Sequence, residues 1–286
     1  MRNAIEVENL SKTYPSFALK DVTFSLPCGS IMGFIGENGA GKTTTIKAML
    51  GLITRDAGTV RMLGQAYTSE NRELAEQIGV VFDANNFHEN LTTRDVSQVL
   101  RRIYKSWDDA DFQKYCRLFS LPANKTVHEL SRGMKMKLSL AAALSHHPRL
   151  LILDEATSGL DPVVREELLD LFMDFIQDED HSILLSSHIT SDLDKVADYI
   201  TFLHEGRVVF SREKDELTDS MGIVRCRRDE LKNFGPTEAI RYREGQFGCE
   251  VLVGDRRQAA AKHPGCPIDR VSIEEIMLLY SRGKAL

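Results

Sequence analysis

The sequence predicts an α/β fold, a mostly parallel sheet covered by helices, with a small α+β domain appended at the C-terminal end. Three observations carry this. Short apolar runs alternate with longer stretches of helical periodicity, the pattern of strand–helix–strand units. The runs Ile31–Ile35, Ile78–Phe82, Leu150–Leu153 and Ile183–Ser186 are continuously apolar rather than alternating, as strands buried on both faces are. Near Thr218 the texture changes to short strand-like pieces.

Taken in order, Ile5–Leu10 and Val22–Leu26 alternate apolar and polar residues and are expected to form an antiparallel edge layer. Ile31–Ile35 runs into Gly36-Glu-Asn-Gly-Ala-Gly-Lys-Thr-Thr44, with a helix beginning near Lys42. A further helical pattern follows Thr92-Thr-Arg-Asp95 and carries Val99, Leu100, Ile103 and Tyr104. A long helix runs from Leu130 to Ser145 and leads into the strand Leu150–Leu153. Beyond Gly222, the pieces Ile223–Arg227, Ala239–Arg243 and Cys249–Val253 read as strands, and Ser272–Tyr280 reads as a closing helix. The expected organisation is a core over residues 1–217, with a helical subdomain at about 84–148, and an accessory or dimerisation domain over 218–286.

At 286 residues the chain exceeds one average domain and falls short of two full-sized ones. Its 42% hydrophobic and 27% charged residues are ordinary for a globular protein, and no long disordered segment is expected. A net charge of −6 and a pI near 5.8 give no general drive toward nucleic acid or anionic lipid, so no nucleic-acid partner is expected. Arg225, Arg227 and Arg228, with Arg256 and Arg257, then read as solvated surface. The five cysteines are widely spaced with no CxxC, which suits reduced cytosolic thiols. The N-terminus lacks the apolar run of a signal peptide, and no stretch approaches the length of a membrane span.

The segment Gly36–Thr44 fits GxxxxGK[ST] between a strand and a helix, where such a loop wraps phosphates. Gly36, Asn38, Gly39, Ala40 and Gly41 let the backbone turn its N–H groups inward, and the helix N-terminus adds partial positive charge. Lys42 would meet the β- and γ-phosphates, Thr44 extends the loop, and the hydroxyl of Thr43 would ligate Mg²⁺. Asp154 and Glu155 end an apolar strand. Asp154 can hold the Mg²⁺ shell and Glu155 can polarise the attacking water. Together the two elements define a nucleoside triphosphatase. The guanine-specific NKxD is missing, since Asn124-Lys-Thr-Val127 lacks the aspartate.

Between them, Leu130-Ser-Arg-Gly-Met134 resembles the LSGGQ signature of the ABC ATPase family, with Ser131 and Gly133 matching and Arg132 and Met134 departing. Ser158-Gly-Leu-Asp161 resembles that family's D-loop, and His188 resembles its switch histidine. Tyr14 lies where the family places an aromatic on adenine. The ordered set covers about Ile5 to Ser211 and is far more specific than any single motif. The resemblance implies a P-loop ABC-type core that binds ATP with Mg²⁺, and contact of His188 with the γ-phosphate. It also implies a head-to-tail pair of motors, a homodimer being favoured, in which Ser131 and Gly133 act across the interface. An integral membrane permease subunit would be the second partner, with the chain at the cytoplasmic face of the membrane. The form Ser-Arg-Gly-Met-Lys-Met-Lys and the C-terminal appendage are similar to export ATPases for drugs, antimicrobial peptides or lipid-like substrates. The alternatives are a soluble ABC switch without a membrane partner and a nucleotide-binding module with little hydrolysis.

Asp83 stands where the family's Q-loop carries glutamine. Either Asp83 ligates the cation, or it points away and Asn85 or Asn86 serves. Phe87 and Leu91 are expected either to meet the membrane partner or to pack locally.

Overall fold

A computed structural model describes residues 2–68, 70–83, 86–235, 238–246 and 248–285. The chain opens with the hairpin β1 (Asn3–Tyr14) and β2 (Phe17–Pro27), followed by β3 (Ile31–Ile35), α1 (Lys42–Met49), β4 (Ala57–Met62), β5 (Gln65–Ala66), α2 (Arg72–Ala75) and β6 (Ile78–Val81). Three helices follow, α3 (Thr93–Leu100), α4 (Asp109–Leu118) and α5 (Arg132–Leu144). The core is completed by β7 (Leu150–Asp154), α6 (Pro162–Phe175), β8 (Ser182–Ser187), α7 (Thr190–Val196), β9 (Tyr199–His204), β10 (Arg207–Glu213) and α8 (Lys214–Ser220). The C-terminal part contains β11 (Gly222–Cys226), β12 (Ala239–Glu244), β13 (Cys249–Val253), α9 (Arg256–Lys262), β14 (Ile268–Arg270) and α10 (Ile273–Arg282).

The central sheet has the order β10-β9-β3-β8-β7-β6, parallel except where β10 runs antiparallel to β9. Its inner strands are buried along their whole length, which explains their continuous apolar sequence. The N-terminal layer is antiparallel, in the order β2-β1-β4-β5. It is larger than the two expected segments, because β4 mixes small, polar and apolar residues and β5 is only two residues long.

Helix starts are fixed by local chemistry. Asp161 caps α6 by accepting from the N–H of Val164, with Pro162 in the first turn. Thr92 and Asp95 form a capping box on α3, and the hydrogen bonds from Thr92 hold the Asp95 carboxyl below its ordinary range. Ser272 and Glu275 form a capping box on α10.

The C-terminal sheet, in the order β12-β13-β11-β14, is antiparallel throughout. It has a small core of its own around Val224, Val251 and Val253. It also shares the main core: Ile273, Ile276 and Leu279 of α10 cluster with Leu193 and Val196 of α7 and Phe202 of β9. Tyr280 meets Phe202 edge-on at 5.3 Å, and Arg241 lies 5.4 Å over its ring. The accessory part is thus fused through α10 to the helix that follows His188. Phe87 and Leu91 pack, half-buried, against the main core. Among the described residues, no helix is long and apolar enough to cross a membrane.

Candidate functional site

The parallel strands β3, β7 and β8 bring three loop starts to one edge of the sheet, where ligands bind in open α/β folds. Gly36 leaves β3 so close to β9 that a Cβ there would stand 2.4 Å from the carbonyl oxygen of Leu203. Gly41, at φ +110°, turns the loop into α1 through backbone that favours glycine. The resulting cleft, about 630 Å³, is lined by Asn38, Gly39, Gly41, Lys42, Thr43 and Thr44, with Phe17, Asp83, Glu155, Ser158 and His188 around them.

Two chains of contacts organise its floor. Lys42 is 6% exposed; its Nζ donates to the carbonyl of Gly36 at 2.8 Å and pairs with Glu155 Oε1 at 3.1 Å. The other oxygen of Glu155 lies 2.6 Å from His188 Nδ1. A carboxylate only accepts, so Nδ1 carries the hydrogen. In the second chain, Thr43 Oγ1 donates to Asp154 Oδ2 at 2.7 Å and Ser186 Oγ donates to Asp154 Oδ1 at 2.6 Å. Glu155 has φ +55°, left-handed backbone for a residue with a side chain. Its N–H is held by the carbonyl and hydroxyl oxygens of Ser186 at 3.1 and 3.2 Å. That tether aims the carboxylate across the cleft rather than along the strand.

Thr43 and Asp154 offer a hydroxyl and a carboxylate, the hard oxygen donors Mg²⁺ prefers, at a point beside the phosphate loop. The donor set therefore fits that cation.

Not every predicted residue lines the cleft. Ala40 is buried beneath the loop, its carbonyl accepting from the N–H of Gly206. Tyr14 pairs across the hairpin with Phe17, and its ring faces Lys12 at 5.6 Å. It is Phe17 that borders the cleft and packs on Gly41. Ser131 caps α5, accepting from the N–H of Met134, and with Gly133 it stands outside this chain's own cleft. Asn86 borders a different hollow, beside Tyr104 and His146, and Asn85 lies outside the described residues. Sequence reasoning passed over Phe17 and Ser186. The two adjacent serines that follow the apolar run Ile183–Leu185 were the available signal for the latter.

A larger hollow, about 710 Å³, opens in the C-terminal sheet, but its arginines are already paired: Arg225 with Asp269, Arg227 with Glu230 and Arg243 with Glu250. The cysteines are free thiols, and burial pushes Cys116 and Cys226 up to about 11, which leaves them protonated and unreactive near neutrality.

Residues 19–158 match the family described as ABC transporter. The bacitracin transport ATP-binding protein BcrA of Enterococcus faecalis is 35% identical over 212 residues, 73% of this chain and 69% of that protein. The chain belongs to the ABC transporter ATP-binding family. Another ABC relative, the lantibiotic transport ATP-binding protein SrtF of Streptococcus pyogenes, is 32% identical over 213 residues, 74% of this chain and 91% of that protein. A solved ATP binding subunit of an ABC transporter aligns with TM-score 0.68 and 29% identity, covering 75% of this chain and 91% of the other. The matched region contains Gly36–Thr44, Leu130–Met134 and the Asp154–Glu155 pair, and ends at Ser158.

Proposed function

We propose that this chain is the ATP-hydrolysing motor of an exporter for peptides, drugs or lipid-like compounds. It works as a head-to-tail dimer, with a second copy of itself favoured, on an integral membrane permease at the cytoplasmic face of the membrane. The observation that carries the reading is the Lys42–Glu155–His188 chain across the floor of the phosphate cleft. The cargo class draws on relatives named for bacitracin and lantibiotic transport. Pairing draws on the place of Ser131 and Gly133 outside the chain's own cleft, where they are free to complete another.

ATP enters with its phosphates against the N–H groups of the loop, and Lys42 exchanges Glu155 for phosphate oxygens. Thr43 and Asp154 would hold Mg²⁺, which would supply neutralisation of the phosphate charge. Glu155, released from Lys42, accepts a proton from water as its oxygen bonds to the γ-phosphorus. The bond to the β–γ bridging oxygen breaks, leaving ADP and phosphate. His188 holds the second oxygen of Glu155 and borders the γ-phosphate end of the cleft. Phe17 borders the cleft and, with Tyr14 opposite it in the hairpin, offers the rings of which one would suit adenine.

The test is purification of the tagged chain from native membranes in mild detergent. A multi-span membrane protein recovered at near-equal amount supports the motor reading. Recovery only in the soluble fraction replaces it with a soluble ABC switch.

A further inference from the structure

Asp83 and Arg132 are each a departure from the family pattern, 49 residues apart, and the fold brings them together. Asp83 follows β6 and lines the rim of the phosphate cleft. Arg132 opens α5 on the neighbouring wall, and its Nη2 donates to Asp83 Oδ1 at 2.5 Å. The same guanidinium lies over Gly159, where a Cβ would stand 2.5 Å from Nη1. Among the described residues, each of the two has the other as its ion-pair partner.

A carboxylate at the rim of a cleft built for a triphosphate and its cation has two competitors for its charge, the guanidinium and the divalent ion. Both side chains are about half exposed, at 57% for Arg132 and 49% for Asp83. An exposed pair of this kind shifts an equilibrium by no more than about fivefold. The guanidinium can therefore yield to a divalent charge, yet it is strong enough to set how much of that charge is needed. We propose that Arg132 is a positioning residue that competes with Mg²⁺ for Asp83 and so sets the Mg²⁺ concentration at which this chain loads ATP. Without the cation, Arg132 neutralises Asp83 and keeps its negative charge from repelling the phosphates. With it, the carboxylate turns to the cation, and the guanidinium is left beside Gly159. The proposal rests on the ATP-site reading above.

The test titrates MgCl₂ against the purified full chain at fixed ATP, with nucleotide binding followed by calorimetry rather than turnover. R132Q removes the competitor and leaves Asp83 in place, so half-saturating Mg²⁺ falls about threefold to fivefold. R132K keeps the charge and stays near the parent value. D83N raises the requirement, and R132Q added to D83N changes nothing further. These opposite signs are the signature, because a purely structural role for the pair would move both single variants the same way. A rise or no change in half-saturating Mg²⁺ for R132Q, or an equal effect of R132Q in the D83N background, overturns the proposal. Failure of the parent chain to bind ATP more tightly than K42A overturns the ATP-site reading, and the proposal with it.

Discussion

In the floor of the cleft, Glu155 holds Lys42, the lysine that the proposed function assigns to the phosphates of ATP, so Glu155→Gln is expected to separate binding from chemistry. Lys42 is nearly fully buried and reaches Glu155 Oε1 at 3.1 Å, so ATP binding has to break a charge-assisted contact. At that distance the gross attraction is about 5 kcal/mol at an effective dielectric of 20, most of it offset by desolvation of the two groups. Glutamine keeps an acceptor at the same place. What is lost is the difference between a charged and a neutral hydrogen bond, about 1 to 1.5 kcal/mol. ATP should therefore bind about fivefold to tenfold tighter. Removal of the carboxylate's repulsion toward the γ-phosphate acts in the same direction. Turnover should fall by about a hundredfold or more if Glu155 is, as proposed, the group that accepts the proton of water. Calorimetric titration with ATP and a phosphate-release assay read the two effects on one preparation. Unchanged or weaker ATP binding would refute competition for Lys42, and phosphate release at the parent rate would remove Glu155 as the base.

Ser186→Ala takes the hydroxyl donor from Asp154 Oδ1, while the Glu155 N–H keeps the Ser186 carbonyl, and should cost about 1 to 3 kcal/mol in urea unfolding, with weaker Mg·ATP binding; parent values in both assays would show that Ser186 does not hold Asp154. Ile276→Ala, fully buried where α10 meets α7, should cost about 2 to 5 kcal/mol, and both parts of the chain should still melt in one transition. A separate early transition confined to the C-terminal sheet would contradict the shared core. Burial lowers the pKa of His146, which stacks on Tyr104 at 4.1 Å and whose Nδ1–H donates to the carbonyl of Glu76. The unfolded chain then binds the extra proton first, so this contribution is complete above about pH 6.5 and is lost as pH falls below it, by at most about 1.4 kcal/mol per pH unit. Thermal melts of His146→Gln should show a shallower decline from pH 7 to 5.5 than the parent, and parallel curves would clear His146. Tyr14→Ala and Phe17→Ala should each weaken ATP binding if the aromatic pair stacks on adenine, by about 1 to 3 kcal/mol for the ring that makes the contact; two parent-like titrations would place the base elsewhere.

What could be read from sequence divides along a physical line. The strand, loop and helix around Lys42, and the strand ending in Asp154 and Glu155, are contiguous segments whose chemistry is written in neighbouring residues. The apolar runs of β3, β7 and β8 were legible because burial on both faces leaves no polar alternation. Contacts made across the sheet were not. Ser186 meets Asp154 only because β8 lies parallel to β7 in the register that sets those two residues opposite each other. Asp83 and Arg132 each looked like an isolated departure until the fold set α5 beside the end of β6. Tyr14 and Phe17 are close in sequence, yet which ring borders the cleft depends on the hairpin tip rather than on pattern. The apolar face of α10 could equally dock on the core or on a second subunit as far as sequence goes, since an amphipathic helix does not name its partner; the fold sets it against α7.

The left-handed backbone at Glu155 has a consequence for how this protein can vary. Glycine takes φ +55° without the steric penalty a side chain meets there, so on folding grounds alone a glycine would be the easier residue. A selection that rewarded only yield or thermal resistance would drift toward it and return chains that fold well and turn over nothing. On the proposed function the carboxylate at this corner answers a demand that folding does not make, and efforts to harden the protein have to read out ATP consumption at every round.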